Sequence, residues 1–180
     1  MIHPRHIVAL IVALFSSFGL NAQAEFIPLI SARTPVLTYV VDGDTIAVQI
    51  ERSIEKVRLI GIDTPESRRN DRANLQAERS RRDVKTIIQM GKQAKETLKG
   101  LLPKGTELRI EYDVQKRDKY GRLLAYVYTK DNTMINEEMV RLGYAQLLTI
   151  PPNVRYVERF RKALAKSQNE RRGLWASGGF

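Results

Sequence analysis

The chain contains no cysteine, and its two histidines, His3 and His6, lie near the start. Residues 25–180 therefore offer neither a thiolate nor an imidazole. This lack excludes Ser-His-Asp and Cys-His nucleophilic mechanisms, disulfide bonds, and zinc sites built on sulfur or imidazole ligands. An enzyme made from this sequence must work with carboxylates, arginine, lysine, tyrosine, hydroxyl groups, or a hard metal ion bound through oxygen.

Long apolar runs are also rare. The run near the start, I-V-A-L-I-V-A-L-F at residues 7–15, is too short to span a bilayer. It follows a basic start and precedes N-A-Q-A, whose small residues suit cleavage by a signal peptidase. We predict a signal peptide over residues 1–24 with cleavage after Ala24; the alternative is an uncleaved anchor. The protein would then be exported, either periplasmic or secreted, with no membrane segment after cleavage.

Acidic residues are outnumbered, since 20 Asp and Glu face 30 Lys and Arg, a net charge of +10. This excess favours a polyanionic partner, which could be nucleic acid, an anionic membrane surface or an acidic polysaccharide. The length suits one domain with one core. No pattern indicates a stable protein partner or an oligomer, so we expect a monomer.

The hydrophobic pattern predicts a small, single α+β domain that is mainly β. Alternation with period two indicates strands, and spacings of three and four indicate helices. We predict five short antiparallel strands, within residues 36–41, 45–50, 56–62, 106–113 and 122–128, and three helices, within 87–102, within 137–142 and after Pro151. Asn136 is the predicted N-cap of the second helix. Residues 67–86 are predicted as a polar loop.

This order of elements favours a closed, five-stranded OB-type barrel with three helices in residues 36–176. Residues 25–35 would form a short lead before it. Barrels of this type frequently bind oligonucleotides or oligosaccharides, which agrees with the positive charge but is an analogy at the level of the fold.

Two acidic motifs end neighbouring strands, D-G-D-T at residues 42–45 and D-T-P-E at residues 63–66. Each has an ordinary explanation, since Asp-Gly suits a hairpin turn and Thr64 suits a helix N-cap. In a three-stranded meander, however, both motifs lie at the same edge of the sheet. Asp44 and Asp63 are then expected close together, with Glu66 just beyond them.

Like charges brought so close need compensation. Two or three carboxylates, a backbone carbonyl such as that of Thr64, and waters make an oxygen-only site for a hard divalent cation, and we expect Ca²⁺ ahead of Mg²⁺ or Mn²⁺. Arg58 lies five residues before Asp63, so their meeting requires a bulge or twist, for which Gly61 is the candidate. Arg58 and Arg122 beside a metal would form a phosphate clamp, because guanidinium binds phosphate oxygens in pairs.

Several motifs carry a resemblance to a known family. They are D-G-D-T, R-L-I-G-I-D-T-P-E, D-K-Y-G-R-L-L-A-Y-V-Y, I-N-E-E-M-V-R-L-G-Y-A and R-G-L-W, which follow one another between Val36 and Trp175. In this order they resemble the thermonuclease family, the staphylococcal-nuclease-like domains. The resemblance implies an OB barrel with three helices and Ca²⁺-dependent hydrolysis of phosphodiester bonds in DNA and RNA.

The resemblance also implies roles for the acidic residues. Asp44, Asp63 and the Thr64 carbonyl match the family's metal ligands. Asp42 matches an acid that lies behind them, near the metal. Glu66 matches the residue assigned as general base or as the group that orients the attacking water.

Four basic or aromatic residues match the family's substrate contacts. Arg58 and Arg122 match the two catalytic arginines that bind the phosphate. Lys119 and Tyr120 match positions near the terminal phosphate of the substrate. All four lie within the motifs that carry the resemblance.

Two segments depart from the family. Residues 146–153, Q-L-L-T-I-P-P-N, contain no aromatic where the best-known member places tyrosines beside the base. Because stacking contributes about 1–3 kcal/mol per base, substrate affinity or base preference is expected to differ. The segment 67–85 is longer and rich in basic residues, and is either a solvated, mobile loop or an electrostatic arm that holds polynucleotide. Its candidate substrate-binding residues are Arg68, Arg69, Arg72, Arg79, Arg81 and Arg82.

We therefore expect an exported, Ca²⁺-dependent nuclease that acts on DNA and RNA with little sequence specificity. The alternative is an OB module that binds nucleic acid and has weak or no catalytic activity. A third candidate is a basic oligosaccharide-binding protein. The carboxylates and arginines at all the matched positions favour the enzyme, because neither binding protein requires that combination.

Overall fold

The computed structural model describes residues 34–180. The predicted signal peptide and most of the predicted lead lie outside the described residues. The strands are β1 (Val36–Asp42), β2 (Thr45–Ile50), β3 (Ser53–Leu59), β4 (Gly61–Asp63), β5 (Arg109–Glu111), β6 (Leu123–Tyr128) and β7 (Gln146–Leu148). The helices are α1 (Asp71–Ser80), α2 (Val84–Leu101), α3 (Ile135–Arg141) and α4 (Val157–Asn169), followed by a 3-10 turn (Gly173–Ser177). No helix in this described range is long and apolar enough to cross a membrane.

The first three strands form the predicted antiparallel meander. Asp42 pairs with Thr45 across the first hairpin, and Thr45 pairs with Arg58 on β3. β6 lies parallel to β3 and β5 lies antiparallel to β6, which completes a mixed five-stranded sheet in the order β1-β2-β3-β6-β5. The prediction that all the strands are antiparallel is therefore wrong. β4 and β7 form a separate antiparallel pair. The meander therefore brings both acidic motifs to one edge, as predicted.

The predicted closed barrel is wrong for the part of the chain that the structure describes. A bridge joins Val36 to Glu107, and the Leu37 N–H donates to the Thr106 carbonyl at 2.9 Å. β1 and β5 are nevertheless not paired as strands. β5 has 3 residues against the 7 of β1, so it offers too few backbone groups for pairing along the whole of β1.

The prediction of three helices is also wrong, because the expected loop at residues 67–86 contains α1. The Asn70 side chain caps this helix by accepting a hydrogen bond from the Ala73 N–H at 2.7 Å. Ala73 and Ala77 are buried against Ile87 and Met90 of α2. Two alanines make a weak apolar stripe, so the hydrophobic period was not visible in the sequence, and packing on α2 stabilises the helix.

The third predicted strand is split in two at Gly61. Gly61 has φ of +81°, a conformation that glycine adopts without strain, and a Cβ there would meet the ring of Phe160. The chain thus turns between β3 and β4. In a regular strand the odd spacing would place Arg58 and Asp63 on opposite faces, and this turn brings their side chains together. This outcome confirms Gly61 as the point of twist. Thr64 begins no helix, since α1 starts only at Asp71.

Asn136 does not cap α3, contrary to our prediction. α3 begins at Ile135 without a side-chain cap. The fully buried Asn136 amide accepts a hydrogen bond from the Val127 N–H at 2.9 Å and donates to the carbonyls of Ile60 (2.9 Å) and Ala125 (3.1 Å). The Ala125 carbonyl also accepts from the Ile60 N–H, but the Val127 N–H and the Ile60 carbonyl depend on Asn136 where β3 ends beside β6. The cost of leaving these buried backbone groups unpaired outweighs capping.

The core lies between the five-stranded sheet and helices α2, α3 and α4. The helix predicted within residues 87–102 is confirmed as part of α2, and its Met90, Ala94 and Leu98 are buried. α2 packs on β1, and its middle turn touches the D-T-P-E motif. The helix therefore supports the acidic edge of the sheet from behind.

Candidate active site

A buried arginine joins the two acidic motifs. Arg58 is 6% exposed, and its Nη2 lies 3.0 Å from Asp44 Oδ2 and 2.8 Å from Asp63 Oδ1. Its Nη1 donates to the carbonyls of Leu59 (2.9 Å) and Ile62 (2.7 Å). Three of these four contacts are hydrogen bonds, and the contact with Asp44 is an ion pair. Arg58 thus compensates both carboxylates and ties β3 to β4.

Asp44 connects the motifs directly. Its Oδ2 accepts from the Thr64 N–H at 3.3 Å, and its Oδ1 accepts from the Thr45 hydroxyl at 2.8 Å. Asp44 is buried, and so is Thr64. The prediction that the D-G-D-T and D-T-P-E motifs meet is therefore confirmed.

Burial disfavours the ionised form of the carboxylates in this cluster. Burial raises the pKa of Asp63, and the charge of Asp44 raises it further, while Arg58 and Arg72 act in the opposite direction. Burial likewise raises the pKa of Asp42, although the Gly43 N–H donates to its Oδ1 at 2.9 Å. A cation at this edge would favour the ionised carboxylates.

Glu66 lies beyond the two aspartates and is held by helix α1. Its Oε2 accepts from Asn70 Nδ2 at 2.9 Å, and its Oε1 lies 3.1 Å from Arg72 Nε. Its backbone N–H donates to Gln76 Oε1 at 2.9 Å. Burial raises the pKa of Glu66, and the contacts from Asn70 and Arg72 oppose that rise.

The sequence analysis missed Asn70 and Gln76 as members of this site. Both belong to the segment that was predicted as a loop. An available signal was the N-cap pair Asn70-Asp71 followed by the helix formers R-A-N-L-Q-A-E-R, which together are typical of a capped helix.

Gly91 of α2 lets that helix approach the Glu66 backbone. A Cβ at Gly91 would overlap the Glu66 carbonyl oxygen and lie 2.6 Å from the Pro65 carbonyl oxygen. We expect Gly91→Ala to lower the free energy of unfolding by about 1–3 kcal/mol, because backbone cannot yield as a side chain can. Urea unfolding measures this change, and displacement of Glu66 should also lower activity.

Gly100 provides the matched control, since it lies in the same helix with nothing within 4 Å of its added Cβ. Gly100→Ala should raise the free energy of unfolding by up to about 1 kcal/mol through helix propensity alone. Equal effects at the two glycines would contradict the close approach at Gly91.

The four residues predicted to contact the substrate phosphate surround one cavity. Arg58, Lys119, Tyr120 and Arg122 line this space of 440 Å³, together with Arg72. We call it the phosphate cavity. The predicted grouping of these side chains is therefore seen, although their contacts with substrate stay a prediction.

Arg122 is positioned by Asp118 at the base of the same hairpin. Its Nε donates to Asp118 Oδ2 at 2.7 Å. Burial acts to raise the pKa of Asp118, but the contact from Arg122 and the hydrogen bonds from the Tyr120 and Arg122 backbone N–H groups together outweigh it, and the pKa is lowered. Within residues 34–180 the Nη groups of Arg122 have no recorded hydrogen bond, so they are available to a ligand.

The phosphate cavity has an apolar wall from the segment that lacks aromatics. Leu148 and Ile150 line it, and Ile150 is exposed. Residues 146–153 contain no aromatic, as the sequence analysis noted. The structure shows that aliphatic side chains from this segment line the cavity instead. A flat base could contact them through its faces, without hydrogen bonds that read its edges.

Of the six arginines predicted as an arm, Arg72 alone contacts the acidic site in the described chain, where it pairs with Asp63 and Glu66. Arg79 lines a separate cavity of 330 Å³, and Arg82 donates to the Gly178 carbonyl at 3.1 Å. The other three are exposed: Arg68, Arg69 and Arg81. An electrostatic role for this group stays a prediction.

A metal held by side chains alone is not indicated, because residues 34–180 contain no group of three or more acidic side chains arranged to bind one. The available donors are the carboxylates of Asp44 and Asp63, the Thr64 carbonyl, and water. All are oxygen atoms, and such a set fits Ca²⁺. The residues present therefore suit the expected cation.

Comparison with known proteins identifies the family. The sequence model described as "Staphylococcal nuclease homologue" matches residues 56–177. The thermonuclease of Staphylococcus hyicus is 34% identical over 164 residues, 91% of this chain and 83% of that protein. The thermonuclease of Staphylococcus intermedius is 35% identical over 76% of this chain and 72% of its own length. Endonuclease YncB of Bacillus subtilis is 30% identical over 78% of this chain and 60% of its own length. The chain therefore belongs to the staphylococcal nuclease family.

Proposed function

We propose that this chain is an exported, Ca²⁺-dependent nuclease that cleaves DNA and RNA with little sequence specificity. Its family and its relatives named thermonuclease and endonuclease make it a hydrolase of phosphodiester bonds. The observation that carries the proposal is the pairing of Asp44 and Asp63 with Arg58, directly beside Glu66. Export rests on the signal-peptide pattern of residues 1–24, which lies outside the described residues.

The residues suit in-line attack of water on phosphorus. Glu66 accepts or orients the proton of the attacking water, since a carboxylate held beside the reacting group can act as a general base. Arg122 binds phosphate oxygens through its available Nη groups, and Arg58 contributes its buried positive charge. Asp44, Asp63 and the Thr64 carbonyl would hold Ca²⁺, whose charge would further stabilise the negative charge on the phosphate.

Low sequence specificity follows from what lines the phosphate cavity. Its basic side chains recognise the phosphate, which is the same at every nucleotide. Leu148 and Ile150 offer a base only apolar contact. The net charge of +10 favours association with any polynucleotide.

Cleavage of DNA and RNA by the purified protein tests this proposal. The exported protein is expected to begin at Glu25, which N-terminal sequencing checks. Single- and double-stranded DNA and RNA are incubated with Ca²⁺, Mg²⁺, Mn²⁺ or a chelator. We expect cleavage with Ca²⁺ that the chelator abolishes. Salt-sensitive binding without cleavage under any metal would instead support the binding module.

A charge-matched pair of variants tests where the cation binds. Asp44→Asn should raise the Ca²⁺ concentration for half-maximal cleavage by at least about tenfold, because one carboxylate ligand is lost. Asp131→Asn removes the same charge from an exposed turn and should leave that concentration unchanged. Equal Ca²⁺ requirements in the two variants would contradict the site.

A further inference from the structure

The guanidinium of Arg72 lies between two carboxylates of the proposed active site. Its Nε is 3.1 Å from Glu66 Oε1, and its Nη2 contacts Asp63 Oδ1. The side chain is 42% exposed, so it is not buried like that of Arg58. Arg72 therefore bridges the carboxylate expected to hold a cation and the carboxylate expected to act on water.

Two other side chains of the same segment also form hydrogen bonds with Glu66. Asn70 donates from Nδ2 to Glu66 Oε2 at 2.9 Å while its Oδ1 caps α1. Gln76 accepts from the Glu66 N–H at 2.9 Å and donates to the Thr64 carbonyl at 3.2 Å. The backbone N–H and both carboxylate oxygens of Glu66 are thus held by α1 and its cap.

Helix α1 packs on α2, and this packing supports its contacts with Glu66. Its Ala73 and Ala77 are buried against Ile87 and Met90 of α2. A glutamate side chain has several rotatable bonds, and in water it would sample many conformations. A base must be held close to its reactive position, since a small displacement costs much of the rate. Docking of α1 restricts Glu66 to one place.

We propose that Arg72 is a positioning residue for phosphodiester hydrolysis, which holds Glu66 at a set distance from Asp63 with support from Asn70 and Gln76. The proposal rests on the proposed nuclease function. It differs from the electrostatic arm of the sequence analysis, in which Arg72 would attract phosphate through its charge. In the positioning role the planar fork of the guanidinium matters, because a single ammonium group cannot bridge two carboxylates in the same way.

Steady-state kinetics separates these two roles. Arg72→Met should lower kcat by up to about 100-fold while KM changes little, because the base is misplaced and substrate contacts remain. Arg72→Lys keeps the charge and should not restore kcat. Asn70→Ser keeps a good N-cap but loses the contact with Glu66, and should also lower kcat. Arg52→Met, in the exposed β2–β3 turn, is the matched control and should leave both constants unchanged.

A double-mutant cycle with Glu66→Gln shows whether Arg72 acts through Glu66. Once Glu66 is replaced, Arg72→Met should lower kcat no further, since residues that act as a unit are not additive. Losses that multiply would overturn the proposal. A rise in KM that Arg72→Lys reverses would overturn it as well and would assign Arg72 to substrate binding.

Thermal unfolding in chelator gives a readout that needs no activity. It is measured for the wild type, Arg72→Met, Glu66→Gln and the double variant. Arg72→Met should lower the unfolding midpoint more when Glu66 is present than in the Glu66→Gln background. Additive shifts in the midpoint would show that the two side chains are uncoupled and would overturn the inference. Absence of cleavage would instead contradict the proposed nuclease function, and full activity of Glu66→Gln would contradict Glu66 as its base. In either case the unfolding cycle would still show whether Arg72 and Glu66 are coupled.

Discussion

Glu66→Gln should lower kcat for phosphodiester cleavage by about 100- to 10,000-fold, the range that general-base catalysis contributes. Glutamine has nearly the same shape but cannot accept a proton from water. Its amide oxygen can still accept from Asn70 or from Arg72, although its NH2 group cannot accept from the other, so the fold should be kept and KM should change little. Single-turnover cleavage of a labelled oligonucleotide measures the chemical step directly.

A second Glu→Gln substitution on the neighbouring helix controls for the loss of charge. Glu78 lies on α1 and is exposed. Glu78→Gln should therefore keep the wild-type rate. If Glu66→Gln retained more than about a tenth of the wild-type kcat, Glu66 would not be the base, because that loss lies below what such a base contributes.

Arg58→Met should lower the free energy of unfolding by about 3–5 kcal/mol, the cost of leaving buried charge without its partner. Asp44 and Asp63 would lose the guanidinium that they share. The carbonyls of Leu59 and Ile62 would lose their donors too. Urea unfolding in chelator measures the change.

The exposed Arg52→Met serves as the control here as well, and it should change the free energy of unfolding by no more than about 0.5 kcal/mol. Adding Asp44→Asn to Arg58→Met should recover part of the lost stability, since one uncompensated charge is removed. A cost below about 1 kcal/mol for Arg58→Met would mean that water enters and screens the two carboxylates.

The acidic site could be predicted because its determinants are local. Period-two alternation and the Asp-Gly turn specify the β1-β2-β3 meander, and a meander places the end of β1 beside the end of β3. Gly61 was identifiable as the twist because the spacing from Arg58 to Asp63 is odd. The nearness of Asp44 and Asp63 followed from these rules alone.

The barrel and the role of Asn136 were mispredicted because both depend on contacts between segments that are far apart in sequence. The helix count was wrong for another reason, since the two buried alanines of α1 make only a weak apolar stripe. Asn136 had the residue type of a cap, yet it bonds to Ile60, 76 positions away. Local preference for capping is weak beside the cost of leaving buried backbone groups unpaired.

Three properties follow from the sequence alone, because they depend only on residue order and type. They are the order of the strands at the acidic edge, the restriction of metal ligands to oxygen atoms, and the excess of positive charge. The support of Glu66 is different. It requires α1 to dock on α2 through two alanines, Gly91 to admit the Glu66 backbone, and Arg72 to reach Asp63. None of these contacts leaves a period or a turn signal in the chain. They form when α1 and α2 pack against each other and against the D-T-P-E motif, so tertiary packing decides them.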